Sequence, residues 1–495
     1  MIKLKKYGLY INGQWKNSSD GRTFETINPA NGSILASFAR ATAEDVEKSV
    51  DAAKRSYSAW KDYPAPKRGE ILLRAASIMR KRKRELGELV TLEMGKVIAE
   101  GLGDVQEAID FLEYISGEGR RLFGETTTSE LPNKFCMTLR QPVGVVGCIT
   151  PWNFPLAIPC WKLGAALISG NTVVFKPASL TPLCAAVLIE IFDEAGLPPG
   201  VLNMVTGSAD IVGRSIVEHE LVKAISFTGG IDAGKDVNLR AARSLKKVGL
   251  ELGGKNPQII MNDAPIDLAI EGVIFGAFGT AGQRCTATSR LIVHESVYNI
   301  VLERLLSRTK FLRIGDPIDP LIDVGPVSCE EQEHKIMNYI NIGIQEGAKL
   351  LCGGTKLMSG DYQKGFFIEP TIFETQHGLR IASEEIFGPV LSVIKVKNYE
   401  EAIKIANDVE YGLSASIYTS DINTAYRAID DLETGITYIN APTIGAEVHL
   451  PFGGTKGTGN GTREAGTSAI EEFTEIKTVF IDYSGRLQKA QILEQ

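Results

Sequence analysis

A cysteine at position 285 stands in a stretch built largely from small residues, FGAFGTAGQRCTATSRL (275–291). Glycines precede it at 276, 279 and 282, and Arg284 is its immediate neighbour. A structural cysteine behaves as a small hydrophobe and usually sits among aliphatic side chains, whereas a reactive thiolate needs access and groups that favour its charge. The local composition leaves both interpretations open, so residues elsewhere in the chain are needed to distinguish a structural cysteine from a reactive one.

Two other polar residues are suited to catalysis at a thiol. Asn153, in ITPWNFP, follows an expected strand, and its amide could stabilise an oxyanion by about 3–4 kcal/mol. Glu251, in LELGGKNP, ends another expected strand and could act as a general base toward water or a thiol. The alternatives are an exposed turn asparagine and an ordinary carboxylate at a strand end.

A third group of residues could bind phosphate. The chain lacks a GxGxxG fingerprint, but FTGGIDAG places Gly229 and Gly234 where an expected strand passes into a helix. Backbone can approach a phosphate closely at such glycines, and a helix N-terminus favours its negative charge. Lys176 in FKPAS ends a strand of the same expected sheet. A solvated lysine at a strand end is the alternative.

The elements that must position these residues follow a regular alternation. Helical periodicity dominates residues 43–121, and short apolar runs then alternate with helices from VGVVGCIT (143–150) to KKVGLEL (246–252). This pattern predicts a parallel sheet covered on both faces, a doubly wound α/β domain with ligands at the carboxyl ends of its strands. A second α/β unit begins near QIIMNDA (258–264).

The expected domain boundaries follow from this alternation. Residues 1–121 and 143–253 form a Rossmann-like dinucleotide-binding domain, and 254–456 a catalytic domain. The segments 122–142 and 478–495 fit neither core. They are either a surface hairpin and a frayed end or a small β element that pairs with another subunit.

Composition excludes several classes of protein. The 495 residues carry a formal charge of −7 with interspersed signs, which argues against nucleic-acid binding. No signal peptide or uninterrupted apolar span is apparent. Seven cysteines without a CxxC pair fit a reducing, cytoplasmic setting. Five scattered histidines, without metal-ligand spacing, predict no metal site.

Seven motifs taken together carry a resemblance. In order, and at similar spacing, the chain resembles the aldehyde dehydrogenase superfamily over essentially its whole length through ITPWNFP, FKPAS, FTGGIDAG, LELGGKNP, GTAGQRC, EEIFGPV and PFGGTKGTG. The resemblance implies that Cys285 is the nucleophile, Glu251 the general base and Asn153 the oxyanion donor. It implies a cysteine thiohemiacetal that loses hydride to a nicotinamide, and a thioester that water hydrolyses without coenzyme A.

The resemblance also implies a cofactor site and a homodimer or homotetramer. Glu385 would hold the nicotinamide-side ribose, Phe387 would pack near the nicotinamide ring, and Trp152, Thr228 and Gly229 would surround the pyrophosphate and adenosine. The full expected set of cofactor-binding residues is Thr150, Trp152, Lys176, Ser179, Gly213, Thr228, Gly229, Gly230, Gly234, Leu252, Glu385 and Phe387.

Two departures from the family pattern bear on the cofactor. Ser179 stands where many NAD-using relatives place a glutamate that bonds the adenosine ribose. A hydroxyl can donate to a 2′-phosphate that a carboxylate would repel, so we predict that NADP is preferred and NAD is also accepted. Gly230 replaces a usual serine, which removes one side-chain contact to phosphate.

Arg284 bears on the choice of aldehyde. It is either a structural arginine paired with a loop carboxylate or a fork for a substrate carboxylate, with Phe154 and Phe452 as aromatic walls. GQRC, NAPTIGAEVHLPFGG (440–454) and DYSGRLQKAQ (482–491) are similar to the semialdehyde-oxidising branch of the family, in particular its α-ketoglutaric semialdehyde (2,5-dioxopentanoate) members. The alternatives are a broad-specificity enzyme, a succinate-semialdehyde enzyme and a non-catalytic binding protein.

Overall fold

The computed structural model describes residues 5–489 and 491, so the ends of the expected first and last segments lie outside the described residues. The helices are α1 Ala43–Asp62, α2 Ala65–Lys81, α3 Lys83–Met94, α4 Ile98–Ser116, α5 Ala157–Ile168, α6 Pro182–Glu194, α7 Arg214–Glu218, α8 Ile231–Ala242, α9 Ile266–Phe278, α10 Tyr298–Lys310, α11 Glu330–Gln345, α12 Arg380–Ser383, α13 Tyr399–Asn407, α14 Ile422–Asp431 and α15 Ala469–Glu472.

The strands belong to several sheets. They are β1 Lys5–Tyr7, β2 Leu9–Ile11, β3 Gln14–Lys16, β4 Thr23–Ile27, β5 Ile34–Ala39, β6 Thr126–Thr128, β7 Lys134–Pro142, β8 Val145–Ile149, β9 Thr172–Lys176, β10 Leu202–Met204, β11 Val222–Thr228, β12 Lys247–Glu251, β13 Asn256–Ile260, β14 Thr288–His294, β15 Lys349–Cys352, β16 Thr371–Glu374, β17 Val390–Val396, β18 Tyr411–Gly412, β19 Ser414–Tyr418, β20 Ile436–Ile439, β21 Thr455–Lys456 and β22 Thr474–Asp482.

The first large sheet has the order β12-β11-β8-β9-β10-β2-β3, and its first five strands are parallel. Strands β8 and β9 are buried along their whole length because α5 covers one face of the sheet and α1 the other. The chain runs from β8 through β9 to β10 and then returns to β11 on the opposite side of β8. Strand order therefore reverses between β8 and β11, and the crevice at their carboxyl ends is the expected ligand site.

The register of the parallel strands brings polar residues at several strand ends to that crevice. Thr228 at the end of β11 lies beside Glu251 at the end of β12, and Lys176 at the end of β9 lies beside Ile149 on β8. The loop carrying Asn153 follows β8 directly. The expected doubly wound sheet is confirmed.

The second large sheet has the order β15-β16-β17-β14-β13-β19-β20 and is parallel except for β15. Helix α9 leads from β13 toward β14, and Cys285 lies in the loop after it. That loop turns through left-handed backbone at Thr280, Ala281 and Gly282. A Cβ on Gly282 would lie 2.1 Å from the Gly388 carbonyl oxygen, so glycine is needed where the loop crosses this backbone.

Helices α1 to α4 occupy the helical region expected at 43–121. Helix α1 begins with a capping box, in which Thr42 and Asp45 each bond the other's backbone N–H. Helix α4 packs on α2, α3 and α5. It carries Glu100, Asp104 and Glu107 at four- and three-residue spacing, which places these carboxyl groups on one helix face.

The segments that fit neither core pair with one another. Strand β7 runs antiparallel to β22 from the pair Lys134–Asp482 to the pair Pro142–Thr474, and β6 adds an edge strand. The resulting three-stranded sheet exposes large apolar side chains, among them Leu139, Ile476 and Phe480. Within the described part of the chain, no helix is both long and apolar enough to cross a membrane.

Candidate active site

The backbone of Cys285 is fixed by the start of strand β13. Asn256 donates from Nδ2 to the Cys285 carbonyl oxygen at 2.8 Å and to the Ala287 carbonyl oxygen at 2.9 Å. A Cβ on Gly254 would lie 2.5 Å from the same Cys285 oxygen. The glycine pair after Glu251 therefore allows β13 to pass close behind the thiol, and Asn256 positions it.

Two cavities meet at the Cys285 side chain. The first, of about 190 Å³, extends past Trp152, Gly229, Glu385 and Phe387, and we call it the cofactor cavity. The second, of about 120 Å³, reaches Phe154, Arg284 and Phe452, and we call it the acyl cavity. Cys285 lines both cavities. A molecule attached to its sulfur in one cavity would therefore lie next to a molecule bound in the other.

Asn153 lies beside the thiol with its amide oriented by the backbone. It is 3% exposed and donates from Nδ2 to the Gln283 carbonyl oxygen at 3.1 Å. Its Oδ1 atom has no hydrogen-bond partner among the described residues. The second Nδ2 hydrogen is available to an oxygen placed near Cys285.

Glu251 lies on the acyl side of Cys285 and is 2% exposed. Neither of its carboxyl oxygens has a partner among the described residues. Burial, with the negative charge of Glu464 as the next cause, raises the pKa of Glu251 well above its usual value. These surroundings favour the protonated form of Glu251, which can act as a base only after losing that proton.

A buried ion pair near Glu251 joins two residues from distant parts of the chain, Lys162 and Glu464. Lys162 contacts Glu464 directly and also donates to Ser226 Oγ at 2.9 Å. Thr228 Oγ1 donates to Glu464 at 3.3 Å. Burial alone lowers the pKa of Lys162, but Glu464 and Glu472 outweigh it, so that the net pKa is raised. Sequence reasoning missed this pair, although a lysine inside the apolar helix α5 was a usable signal.

The surroundings of the thiol differ from the expectation for an activated cysteine. Burial, followed by the negative charges of Glu251 and Glu385, raises the pKa of Cys285 to about 12. Two backbone N–H groups, of Thr286 and of Cys285 itself, oppose this shift. Arg284 pairs with Glu100 and is not among the main groups that shift the pKa of Cys285. The side chains present hold a neutral thiol, so ionisation requires a base or an added positive charge.

The cofactor cavity is built from a strand end, a helix start and a carboxylate. Gly230 caps helix α8 without a side-chain bond, and a Cβ there would meet nothing within 4 Å. Glu385 accepts from the Gly254 N–H at 3.0 Å. The ring of Phe387, whose φ is 61°, meets Trp152 edge-on at 5.5 Å. Open helix N–H groups and a fixed carboxylate fit the phosphates and ribose of a dinucleotide.

Nine of the twelve expected cofactor residues line one of two cavities. Trp152, Thr228, Gly229, Gly230, Leu252, Glu385 and Phe387 line the cofactor cavity, together with Gln332 and Lys335, which sequence reasoning missed. Lys176 and Gly213 line a separate cavity of about 380 Å³ with Arg214 and Arg240, also missed.

Three expected cofactor residues line neither cavity. Ser179 is exposed and donates from Oγ to the Gly207 carbonyl oxygen at 2.9 Å. The buried Oγ1 of Thr150 has no partner among the described residues. A Cβ on Gly234 would lie 2.4 Å from Leu252 Cδ2, so this glycine allows α8 to pack closely against the strand end.

The three expected substrate residues all line the acyl cavity. Arg284 donates from Nη2 to Glu100 and from Nε to Thr280 Oγ1, both at 2.9 Å. Its partner lies on helix α4 rather than in a loop. The Phe452 ring meets Trp161 at 5.2 Å, and Lys96 Nζ lies 3.7 Å from the centre of the Phe154 ring. The cavity thus has aromatic walls and one lining cation, Arg284, while Lys96 is buried behind the Phe154 ring.

Comparison with known proteins identifies the family. The aldehyde dehydrogenase family model matches residues 15–479. The chain is 45% identical over 477 residues to the alpha-ketoglutaric semialdehyde dehydrogenase of Bacillus subtilis, covering 96% of this chain and 98% of that protein. It is 42% identical over 472 residues to the 2,5-dioxopentanoate dehydrogenase of Saccharolobus solfataricus, covering 94% of this chain and 98% of the relative.

Comparison with solved structures supports the same family. Betaine aldehyde dehydrogenase of Staphylococcus aureus in complex with NAD+ has a TM-score of 0.95 and 34% identity, covering 99% of this chain and 97% of that one. The chain belongs to the aldehyde dehydrogenase family.

Proposed function

We propose that this protein oxidises an acidic semialdehyde of the 2,5-dioxopentanoate type to the dicarboxylate, with NADP preferred and NAD accepted. The observation that carries the substrate class is the acyl cavity, which joins Cys285 to Arg284 between aromatic walls. A short chain with a terminal carboxylate matches these features, because Arg binds carboxylates through its planar fork. The relatives named above for semialdehydes support the same class.

The first half of the reaction uses Cys285 and Asn153. The Cys285 thiol releases its proton to solvent, and the thiolate sulfur forms a bond to the aldehyde carbon. The carbonyl oxygen becomes an oxyanion, which the free Asn153 amide hydrogen and the Cys285 backbone N–H stabilise. The nicotinamide coenzyme, when bound, supplies the hydride acceptor that converts this adduct to a thioester.

The second half uses Glu251. Its carboxylate takes a proton from water, and the resulting hydroxide attacks the thioester carbon. The carbon–sulfur bond breaks, the carboxylic acid leaves and the Cys285 sulfur is released. Burial and the absence of a bonding partner among the described residues leave the Glu251 carboxyl free to make this contact.

The coenzyme preference rests on Ser179 and the cations near it. Ser179 lies at the same sheet edge as Lys176, whose pKa burial lowers to about 8. A 2′-phosphate beside Ser179 would meet a hydroxyl where many NAD-using relatives place a glutamate, and Lys176 supplies positive charge nearby. We expect kcat/KM with NADP to exceed kcat/KM with NAD, and negligible NADP turnover would refute this assignment.

We further propose a homodimer or homotetramer that associates through β6, β7 and β22. The exposed side chains of Ile476 and Phe480 form an apolar surface beside an edge strand, a combination that favours association. Light scattering on the wild type and on Ile476→Lys tests this, and a monomeric wild type would exclude it. We also propose that residues 1–121 and 143–253 form the cofactor domain and that residues 254–456 form the catalytic domain. The seven unpaired cysteines support a cytoplasmic location.

The experiment that tests the substrate class compares three aldehydes with NADP. We expect kcat/KM for 2,5-dioxopentanoate to exceed that for pentanal by about 100-fold, near 3 kcal/mol, as for a charged hydrogen bond. Succinate semialdehyde, one carbon shorter and without the keto group, should fall between them. Equal values for 2,5-dioxopentanoate and pentanal would instead indicate a broad-specificity enzyme.

A further inference from the structure

Helix α4 carries three carboxyl groups on one face, and two of them form ion pairs within the described residues. Glu100 pairs with Arg284 at 2.9 Å. Asp104 pairs with Lys96 at 3.1 Å, and neither side chain of this second pair is exposed to solvent. The third, Glu107, lines the acyl cavity together with Cys285 and Arg284. No ion pair or hydrogen bond to Glu107 occurs within the described residues.

The position of Arg284 shows where a substrate carboxylate would lie. A guanidinium has five N–H donors arranged as a planar fork. Thr280 and Glu100 occupy its Nε and Nη2 edge, which leaves the outer edge formed by Nη1 and Nη2 for a ligand. An anion bound at that edge, inside the same cavity, comes close to the Glu107 carboxyl group. Two ionised carboxylates that share this cavity would repel one another.

We propose that Glu107 is a specificity-determining residue that binds the anionic end of the substrate as a neutral carboxylic acid, donating its O–H to the carboxylate or 2-oxo oxygen. This inference rests on the proposed acidic-semialdehyde activity. Arg284 supplies the charge and Glu107 supplies the hydrogen bond. Once ionised, Glu107 has no hydrogen to donate and repels the substrate.

Burial is the main reason why Glu107 favours its neutral form. Burial, with the Asp104 charge as the next cause, raises the pKa of Glu107 to about 8, although Lys96 and Arg284 oppose the shift. The titratable groups that face it from the packed elements are Asp104, Asp110, Lys96, Arg284, Cys285, Glu251, Glu464 and Tyr438. Burial raises the pKa of Tyr438 to about 12, so this phenol stays neutral where Glu107 titrates.

A ratio of specificity constants isolates this titration. Cys285 and Glu251 act identically on 2,5-dioxopentanoate and pentanal, so their ionisations cancel in the ratio of the two kcat/KM values. The ratio should be constant at low pH and fall about tenfold per pH unit above the pKa of Glu107, because only the protonated acid binds the anion. Ionisation of Glu107 at higher pH thus lowers kcat/KM for 2,5-dioxopentanoate and leaves kcat/KM for pentanal unaffected.

The experiment measures this ratio from about pH 6 to about pH 9.5 in four proteins. The wild type should show the fall, and so should the control Glu113→Gln, which removes a carboxylate on the outer side of the same helix, where it pairs with Arg80. Glu107→Gln keeps a donor without a titratable proton, so it should hold a high ratio at every pH. Glu107→Leu removes the donor and should give a ratio that is flat and at least tenfold lower.

The outcomes separate this inference from the proposed function. A wild-type ratio near one at pH 6.5 would overturn the acidic-semialdehyde activity, and this inference with it. A high ratio that stays constant to pH 9.5 would leave that activity intact and overturn the role of Glu107. A fall that persists in Glu107→Gln would do the same, because another group would then be titrating. A constant wild-type ratio overturns the role of Glu107 whether or not the variants fold, and if Glu107→Gln does not fold, a pH-dependent fall that persists in Glu107→Leu overturns it as well.

Discussion

The guanidinium of Arg284 is held by Glu100, with Nη2 donating at 2.9 Å to a carboxylate that lies 184 positions earlier in the chain. The same carboxylate accepts from the Thr280 N–H and hydroxyl. Glu100 therefore ties the loop before Cys285 to helix α4 and fixes which edge of Arg284 faces the acyl cavity. The structural and the substrate-binding interpretations of Arg284 are compatible, because they use different edges.

Replacing Arg284 by lysine should affect acidic substrates selectively. Lysine keeps a charge for Glu100 but loses the planar fork. We expect kcat/KM for 2,5-dioxopentanoate to fall about 30-fold to 100-fold, with pentanal changed less than about threefold. Steady-state kinetics on both aldehydes measures this. Equal losses for the two aldehydes would show that Arg284 only supports the loop.

Asn153→Ala tests the oxyanion donor. The amide is buried and already oriented by Gln283, so its loss should act on the transition state more than on binding. We expect kcat to fall about 100-fold to 1,000-fold with KM little changed. Asn153→Asp, which matches the size but lacks the donor at neutral pH, should lose at least as much. A loss below about tenfold in either variant would exclude the role.

The pH dependence of kcat should report Glu251. The general base works only when ionised, and burial raises its pKa, so kcat limited by thioester hydrolysis should rise with pH through the neutral range and above. Pentanal is the appropriate substrate, because it avoids the Glu107 effect. Glu251→Gln should remove this rise and lower kcat. A wild-type kcat that falls as the pH increases from 6 to 8 would contradict the assignment.

The buried Lys162–Glu464 pair should matter for stability. Neither side chain is more than 6% exposed, so Lys162→Met leaves a charge without its partner and should cost about 3–5 kcal/mol. Lys162→Met with Glu464→Gln removes both charges and should recover part of the loss. Thermal melting of the three proteins side by side measures the order. Equal melting temperatures for the single variant and the wild type would show that the pair contributes little.

Ser179→Glu tests the coenzyme preference. The added carboxylate should repel the 2′-phosphate and accept from the ribose hydroxyls of NAD. We expect the ratio of kcat/KM for NADP to that for NAD to fall about 10-fold to 100-fold. Ser179→Gln, of similar size and neutral, is the matched control and should change the ratio far less. The same shift in both variants would attribute the effect to size rather than charge.

Local patterns were sufficient to predict the sheet and the residues at its edge. Uninterrupted apolar strands such as β8 and β9 need cover on both faces, and parallel strands bring their carboxyl ends together. Asn153, Thr228 and Glu251 therefore had to meet near one crevice once the alternation was recognised. Strands β8, β9 and β12 occupy residues 145–149, 172–176 and 247–251, within the expected runs 143–150, 171–176 and 246–252.

Long-range polar partners could not be predicted in this way. Glu100 meets Arg284 across 184 positions, and Lys162 meets Glu464 across 302. The spacing of apolar residues predicts helices and strands, but it does not show which buried charges pair with one another. That pairing depends on how separate elements pack. Glu107 escaped notice for the same reason, because a glutamate on an amphipathic helix ordinarily faces solvent.

The most direct test of the account is to trap the acyl-enzyme. Glu251→Gln mixed with 2,5-dioxopentanoate and NADP should release one equivalent of NADPH per active site in a burst and then turn over slowly, because the thioester forms and water is not activated. Mass spectrometry of the quenched protein should place one acyl group on the peptide that contains Cys285. Unchanged steady turnover without a burst, or an adduct on another residue, would contradict the assignment of Cys285 and Glu251.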